Sequence, residues 1–286
     1  QRRVTPVTPV HPIGCAGVSV IRGGLTDCHK TALSWSFMND GQHRGRFLLV
    51  ALRDGDDVAV AEYEDFLRGT RLTRETLVHH PITSTDDTLP DLTEFDGVFI
   101  GGSPFNVTDL VHTELQKHTH DLMYEVLVSP VPALMLCYGN SFAAFTGGGR
   151  VDRSHPERVG VSEVVLTDGA ASDPVMGGMA PRFFGLTGHK ESVVELPRGA
   201  TLLATGPTCP VQAYRANRST WVTQFHPEMD AEGIIRRMGF YMDAGYFKPE
   251  EVEEISAIVR ATDLSHSEAI LDRFMSYCLD RSGRRS

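Results

Sequence analysis

Cys137 stands at the end of the apolar run from Pro132 to Leu136, directly before Tyr138-Gly139 and a helix-like stretch from Ser141 to Phe145. A buried strand that turns abruptly into a helix pushes the turn residue's side chain out of the sheet, as in a nucleophile elbow. The first amides of that helix then favour a thiolate and offer donors to an oxyanion. A thiol nucleophile also needs a base, and the base needs an acceptor to orient it. Both stand far downstream in Trp221-Val-Thr-Gln-Phe-His226-Pro227-Glu228, where His226 and Glu228 lie two apart at the end of a β-prone run. Pro227 stiffens the link and ends the strand. A third piece, Phe95 to Pro104, runs a buried strand into Gly101-Gly102-Ser103-Pro104. Backbone there can approach a ligand closely. An amide from this loop and that of Tyr138 would make a two-donor oxyanion hole. Each piece alone has a plainer reading: a buried core cysteine, a surface His–Glu pair, a tight turn.

Two other histidine patterns compete for attention. His155-Pro156-Glu157 repeats the tripeptide, but no apolar strand precedes it, so it reads as a polar loop. His112, His118 and His120 fall on or near a helical run from Leu110 to Val128. His118 and His120 diverge on a helix and no acidic or cysteine partner completes a ligand set, so a solvated face is expected, and no metal site.

The elements that must position these residues follow from the pattern. Phe47 to Leu52 is a continuous apolar run, the sign of a strand buried on both faces. Asp54 to Asp57 then caps a helix to about Leu67. Strands are expected near Glu75 to His79, Gly160 to Thr167, Phe183 to Leu186, Thr201 to Ala204, Val211 to Arg215 and Trp221 to Phe225, the last three as an antiparallel set. Two helices close the chain. One enters at Pro249 with a stripe at Val252, Ile255, Ile258 and Val259, and the other starts at a Ser265/Glu268 capping box, both packing on the domain or on a partner protein.

Taken in order, the three chemical pieces resemble the class I (triad-type) glutamine amidotransferase family, whose pattern is Gly-Gly-x-Pro, then Cys-x-Gly-x-Gln, then His-Pro-Glu. The resemblance covers roughly Phe47 to Ala244. The Gly-rich link Gly147 to Val151, the stretch Gly188-His189-Lys190-Glu191-Ser192-Val193 and the strand Cys209 to Tyr214 are similar to the family's intervening segments. The resemblance implies an α/β fold: a three-layer, open, mostly parallel sheet flanked by helices (flavodoxin-like), with a small antiparallel sheet and C-terminal helices. It implies Cys137 as nucleophile, His226 as base and Glu228 as its partner, with Gly102 and Tyr138 at the oxyanion. Gly101, Asn140, Ser141, His189 and Glu191 are implied near the substrate, Glu191 at its α-amino group. No cofactor is required. Two positions depart from the pattern: Ser141, preceded by Asn140, stands where the family has Gln, and Glu191 where it has Asp. Both touch substrate recognition rather than the triad.

The implied reaction is hydrolysis of the γ-amide of glutamine through a Cys γ-glutamyl thioester, with ammonia released to a separate synthetase. The overall pattern is closest to stand-alone proteins related to the GMP synthase amidotransferase domain. A γ-glutamyl peptidase using the same triad is the first alternative, and a non-catalytic binding module on the same fold the second.

Composition agrees with an enzyme of this class. The 286-residue chain of 31.5 kDa has 41% hydrophobic and 22% charged residues, as an ordinary globular protein does. A formal charge of -10 and a pI near 5.6 argue against nucleic acid or an anionic membrane as the main partner. Five cysteines, at 15, 28, 137, 209 and 278, show no pairing pattern and fit a reducing cytoplasm. No GxxxxGK[ST] or GxGxxG marks a nucleotide site. The organisation expected is a loose arm over 1–45, an amidotransferase-like domain over 46–245 and a helical extension over 246–286. Within the arm, Met38 is read as the native start.

Overall fold

The computed structural model describes residues 45–52, 56–241 and 247–283; Met38, nearly all of the expected arm and the Asp54-Gly55 part of the expected helix cap lie outside them. The chain runs through β1 (Phe47–Ala51), α1 (Asp56–Thr70), β2 (Leu77–Pro81), β3 (Gly97–Ile100), α2 (Glu114–Val128), β4 (Ala133–Leu136) and α3 (Tyr138–Thr146). Then follow β5 (Arg150–Asp152), β6 (Glu157–Leu166), β7 (Arg182–His189), β8 (Ser192–Glu195), β9 (Thr201–Thr205), β10 (Ala213–Arg215) and β11 (Thr220–Thr223). Three helices complete it: α4 (Ala231–Phe240), α5 (Val252–Ala261) and α6 (Ser265–Ser282).

One nine-stranded sheet has the order β2-β1-β3-β4-β11-β10-β9-β6-β7, and β5 pairs with β8 in a separate antiparallel ribbon. The five strands from β2 to β11 pair in parallel. Beyond β11 the pairing turns antiparallel. Strand periodicity sorts the side chains into two layers. Phe47, Leu49 and Phe99 pack with Phe66 of α1 and Phe274 of α6, while Leu48, Val50 and Met135 pack with Leu122 of α2 and Phe142 of α3. All five residues of β1 are buried, as a central strand covered on both faces requires.

Several boundaries differ from expectation. β2 begins at Leu77 and extends to Pro81. α2 starts only at Glu114, because the Thr113 side chain accepts from the Gln116 amide and caps it there, leaving Leu110 fully exposed outside the helix. Ser265 is the first helical residue of α6 rather than its cap, and its amide donates to Asp263 Oδ1. The His155-Pro156-Glu157 segment is not simply a polar loop: Glu157 opens β6 and is buried.

The candidate active site

β4 and β11 run side by side in parallel, with Leu136 opposite Thr223. The chain leaving each strand therefore emerges at the same edge of the sheet. There the Cys137 amide donates to the Thr223 carbonyl at 2.7 Å. Cys137 itself adopts φ 50°, ψ -91°, a conformation that L residues rarely take. Such strain persists only where the surroundings enforce it. The next turn of chain supplies that enforcement: a Cβ added at Gly139 would sit 2.4 Å from Met135 Cβ, so α3 leaves β4 at a closeness only glycine permits. Tyr138 is the first residue of α3, so its amide has no acceptor within the helix.

His226 follows β11. Its amide donates to Leu186 O at 2.8 Å, fixing the backbone, and its Nδ1 lies 2.7 Å from Glu228 Oε1. The ring and the Cys137 side chain line the same pocket and interact electrostatically. Burial works against a charged imidazole, but the Glu228 carboxylate and the Cys137 sulfur outweigh it and push His226 up to about 9. Burial likewise opposes charge on Glu228, and the imidazole and Arg237 beside it hold its carboxyl below the ordinary glutamate value. Gln224, two residues before His226, places Nε2 3.9 Å from Cys137 Sγ and accepts on Oε1 from Asn140 Nδ2 at 3.1 Å.

These groups open on a pocket with about 740 Å³ of empty space, its open mouth included. Of the expected site residues, Cys137, Tyr138, Ser141, His189, Glu191 and His226 line it, and Glu228 stands behind His226. Four of the expected residues are placed differently. Asn140 is fully buried and turned to Gln224 and the Val211 carbonyl rather than to the pocket. The Gly102 amide donates to Glu62 Oε1 at 3.1 Å, and Gly101 is pressed against the same carboxylate, so neither faces Cys137. Glu191 accepts from the Val107 and Thr108 amides and the Thr108 hydroxyl, so it holds the loop over the pocket in place.

The histidine-rich face is also not simply solvated. His120 is half-buried and hydrogen-bonds the Tyr138 hydroxyl, which Gln116 Nε2 also approaches at 3.3 Å. Burial, with His112 adding repulsion, depresses His120 to about 4, so the ring is neutral near pH 7. His189 Nδ1 donates to Glu191 O (2.9 Å), its Nε2 lies 2.9 Å from Glu157 Oε2, and Gln212 Nε2 donates to that same Glu157 oxygen. Among the described residues, His189, Glu157 and Cys209 form a group whose donor types would suit a metal, their ligand atoms all within 4.8 Å of one another. Burial pushes the Cys209 thiol up to about 12, so at neutral pH it keeps its proton, and its sulfur donates to the Val211 carbonyl.

Sequence reasoning missed Gln224, Glu62 and Arg237. Gln224 was in view within the Trp221 to Glu228 run; nothing local marks the other two.

The family model for class-I glutamine amidotransferases matches residues 67–234, more than half of the chain. The chain belongs to that family. Among curated class-I relatives, a glutamine-hydrolysing GMP synthase subunit from Sulfolobus acidocaldarius is 32% identical over 145 residues, spanning 50% of this chain and 73% of the relative. The corresponding subunit from Thermoplasma acidophilum is 29% identical over 167 residues, 57% of this chain and 78% of the relative. A glutamine amidotransferase from Thermotoga maritima superposes with a TM-score of 0.63 at 19% identity, covering 84% of this chain and 98% of that one. Another from Methylobacillus flagellatus gives 0.61 at 17% identity, covering 81% and 94%. The two superpositions are likenesses of fold.

Proposed function

We propose that this chain hydrolyses the γ-amide of glutamine, with Cys137 as nucleophile, His226 as base and Glu228 as the group that orients it. The observation that carries the reading is the union, in one pocket, of a thiol on a strained elbow with an imidazole that has a buried carboxylate 2.7 Å from its Nδ1. In that arrangement His226 takes the thiol proton and is held as imidazolium by Glu228. The thiolate sulfur attacks the γ-carbonyl, and charge develops on its oxygen near the Tyr138 amide. His226 then donates its proton to the leaving nitrogen, ammonia departs, and a γ-glutamyl thioester remains. Water, deprotonated by His226, cleaves the thioester to glutamate and frees the thiol. No step calls for a cofactor.

Ammonia release suits a partner that consumes it. The two curated relatives are single subunits of glutamine-hydrolysing GMP synthases, which points to a separate synthetase chain as that partner. A second reading, hydrolysis of γ-glutamyl peptides by the same thioester route, is favoured by Ser141 in place of the family's Gln and by apolar Met229, Ile234 and Phe247 in the pocket wall.

The test is release of ammonia and glutamate by wild type beside Cys137→Ala. Cys137-dependent turnover of glutamine is the expected result. Turnover of γ-glutamyl dipeptides alone would replace it with the peptidase reading. No Cys137-dependent reaction with either, alone or with an added synthetase, would leave a binding module.

A further inference from the structure

The strand end that should offer a donor to the reacting carbonyl does not offer the expected one. The Gly102 amide is bonded to Glu62, and a Cβ at Gly101 would lie 2.3 Å from Glu62 Oε2, so this carboxylate is packed directly beneath the loop backbone. Glu62 belongs to α1 and is fully buried. A buried carboxylate is costly unless charge and hydrogen bonds compensate it. Here the compensation is shared with the triad: Arg237 of α4 places Nη1 3.5 Å from Glu62 Oε1 and 3.8 Å from Glu228 Oε1, and Nη2 2.9 Å from Asp65 Oδ2. One continuous set of contacts thus runs from Gly102 through Glu62 and Arg237 to Glu228, His226 and Cys137. Ser103 is the first of the loop residues, Ser103 to Asn106, that line the pocket with Cys137; Pro104 has no amide hydrogen, and the Phe105 amide donates to Ser103 Oγ. Among the described residues, no hydrogen-bond partner is seen for the Ser103 amide.

We propose that Glu62, braced by Arg237, is a positioning residue that turns the Gly102 amide away from the pocket and so sets the Ser103 amide, beside that of Tyr138, as the loop's donor to the oxyanion. The inference rests on Cys137 being the nucleophile. It makes α1, which does not line the pocket, and Arg237 of α4 responsible for the register of the oxyanion loop. It also makes one guanidinium common to both halves of the catalytic apparatus.

Two reagents separate positioning from damage. Iodoacetamide alkylates a thiolate by displacing iodide from a saturated carbon and uses no oxyanion donor. A diazoketone analogue of glutamine places its ketone oxygen where the oxyanion forms. Labelling of Cys137 by each is compared in wild type, Glu62→Gln, which keeps an acceptor of the same shape, and Glu62→Leu, which removes it. In Glu62→Leu, diazoketone labelling should slow on the order of 10- to 100-fold while the iodoacetamide rate stays near wild type. Glu62→Gln should hold both rates close to wild type. Equal slowing with both reagents would mean general damage and overturn the proposal. So would an unchanged diazoketone rate, and so would a faster one, which would mean that Glu62 withholds Gly102 as the native donor. Failure of the underlying reading looks different: the wild-type diazoketone would not label Cys137 at all.

Discussion

At the scale of single residues, Cys137 and His226 each carry a measurable signature of their environment. The positive φ of Cys137 stores strain that a glycine would not feel. Cys137→Gly and Cys137→Ala both remove the thiol, so their difference isolates the backbone. Cys137→Gly should be the more stable by roughly 1 kcal/mol in denaturant unfolding, and an alanine variant of equal or greater stability would refute the strain. His226 has its folded value raised to about 9, above the 6.5 of a free imidazole. A raised value means the folded protein holds the proton more tightly, so the stabilisation is complete below pH 6.5 and disappears as pH climbs through about 9. The stability gap between wild type and His226→Gln should therefore narrow from about pH 6 to about pH 9.5. A gap that stays constant or widens over that range would show the imidazole is not held charged. The groups facing His226 in this measurement are Cys137 from the elbow, Glu228 from its own loop and, behind Glu228, Arg237. That Cys137 and His226 meet at one site was legible in the sequence because each follows a short apolar run. Glu62 and Arg237 were not legible. They sit in amphipathic helices where a charged residue ordinarily faces water, and only the tertiary fold turns them toward each other.

Among elements, the elbow depends on how tightly α3 leaves β4. The 2.4 Å approach expected of a Cβ at Gly139 to Met135 Cβ cannot be relieved by rotating a side chain, since both atoms are fixed to backbone. Gly139→Ala should destabilise by roughly 1–3 kcal/mol and slow iodoacetamide labelling of Cys137, because the first turn of α3 must move. Labelling at the wild-type rate in a fully folded variant would count against this account of the elbow. Elements with clear periodicity and turn residues, such as β1 and the β9 to β11 set, were read closely from the sequence. The start of α2 was not. Leu110 continues the helical spacing of Leu115, Leu122 and Val126, but the Thr113 cap cuts the helix after it, and a capping hydrogen bond outweighs a periodic match. Asn140 and Gly102 failed for a related reason. A motif names the residue, whereas the direction of its amide or side chain is decided by Gln224 and Glu62, which arrive from elsewhere in the chain.

For the molecule as a whole, α6 is built into the main core rather than added to it. Phe274 meets Phe99 edge-on at 5.3 Å and Trp221 at 6.1 Å, beneath the strands that carry the site. Phe274→Ala should cost roughly 3–5 kcal/mol, with circular dichroism and fluorescence reporting one shared unfolding transition. A small loss, or a separate early transition for the last helix, would mark α6 as an appendage. The pairing of β4 with β11 has a consequence in time. Cys137 leaves the ribosome well before the strand that completes its site, since β11 and His226 lie more than eighty residues further on. At ordinary elongation speeds that is roughly 5–20 s. Throughout that interval β4 has β3 on one side only, and the thiol has neither His226 nor the Thr223 carbonyl that accepts from its own amide. On the proposed mechanism, the reactivity of Cys137 is thus withheld by chain order until β11 inserts beside β4 and closes the sheet.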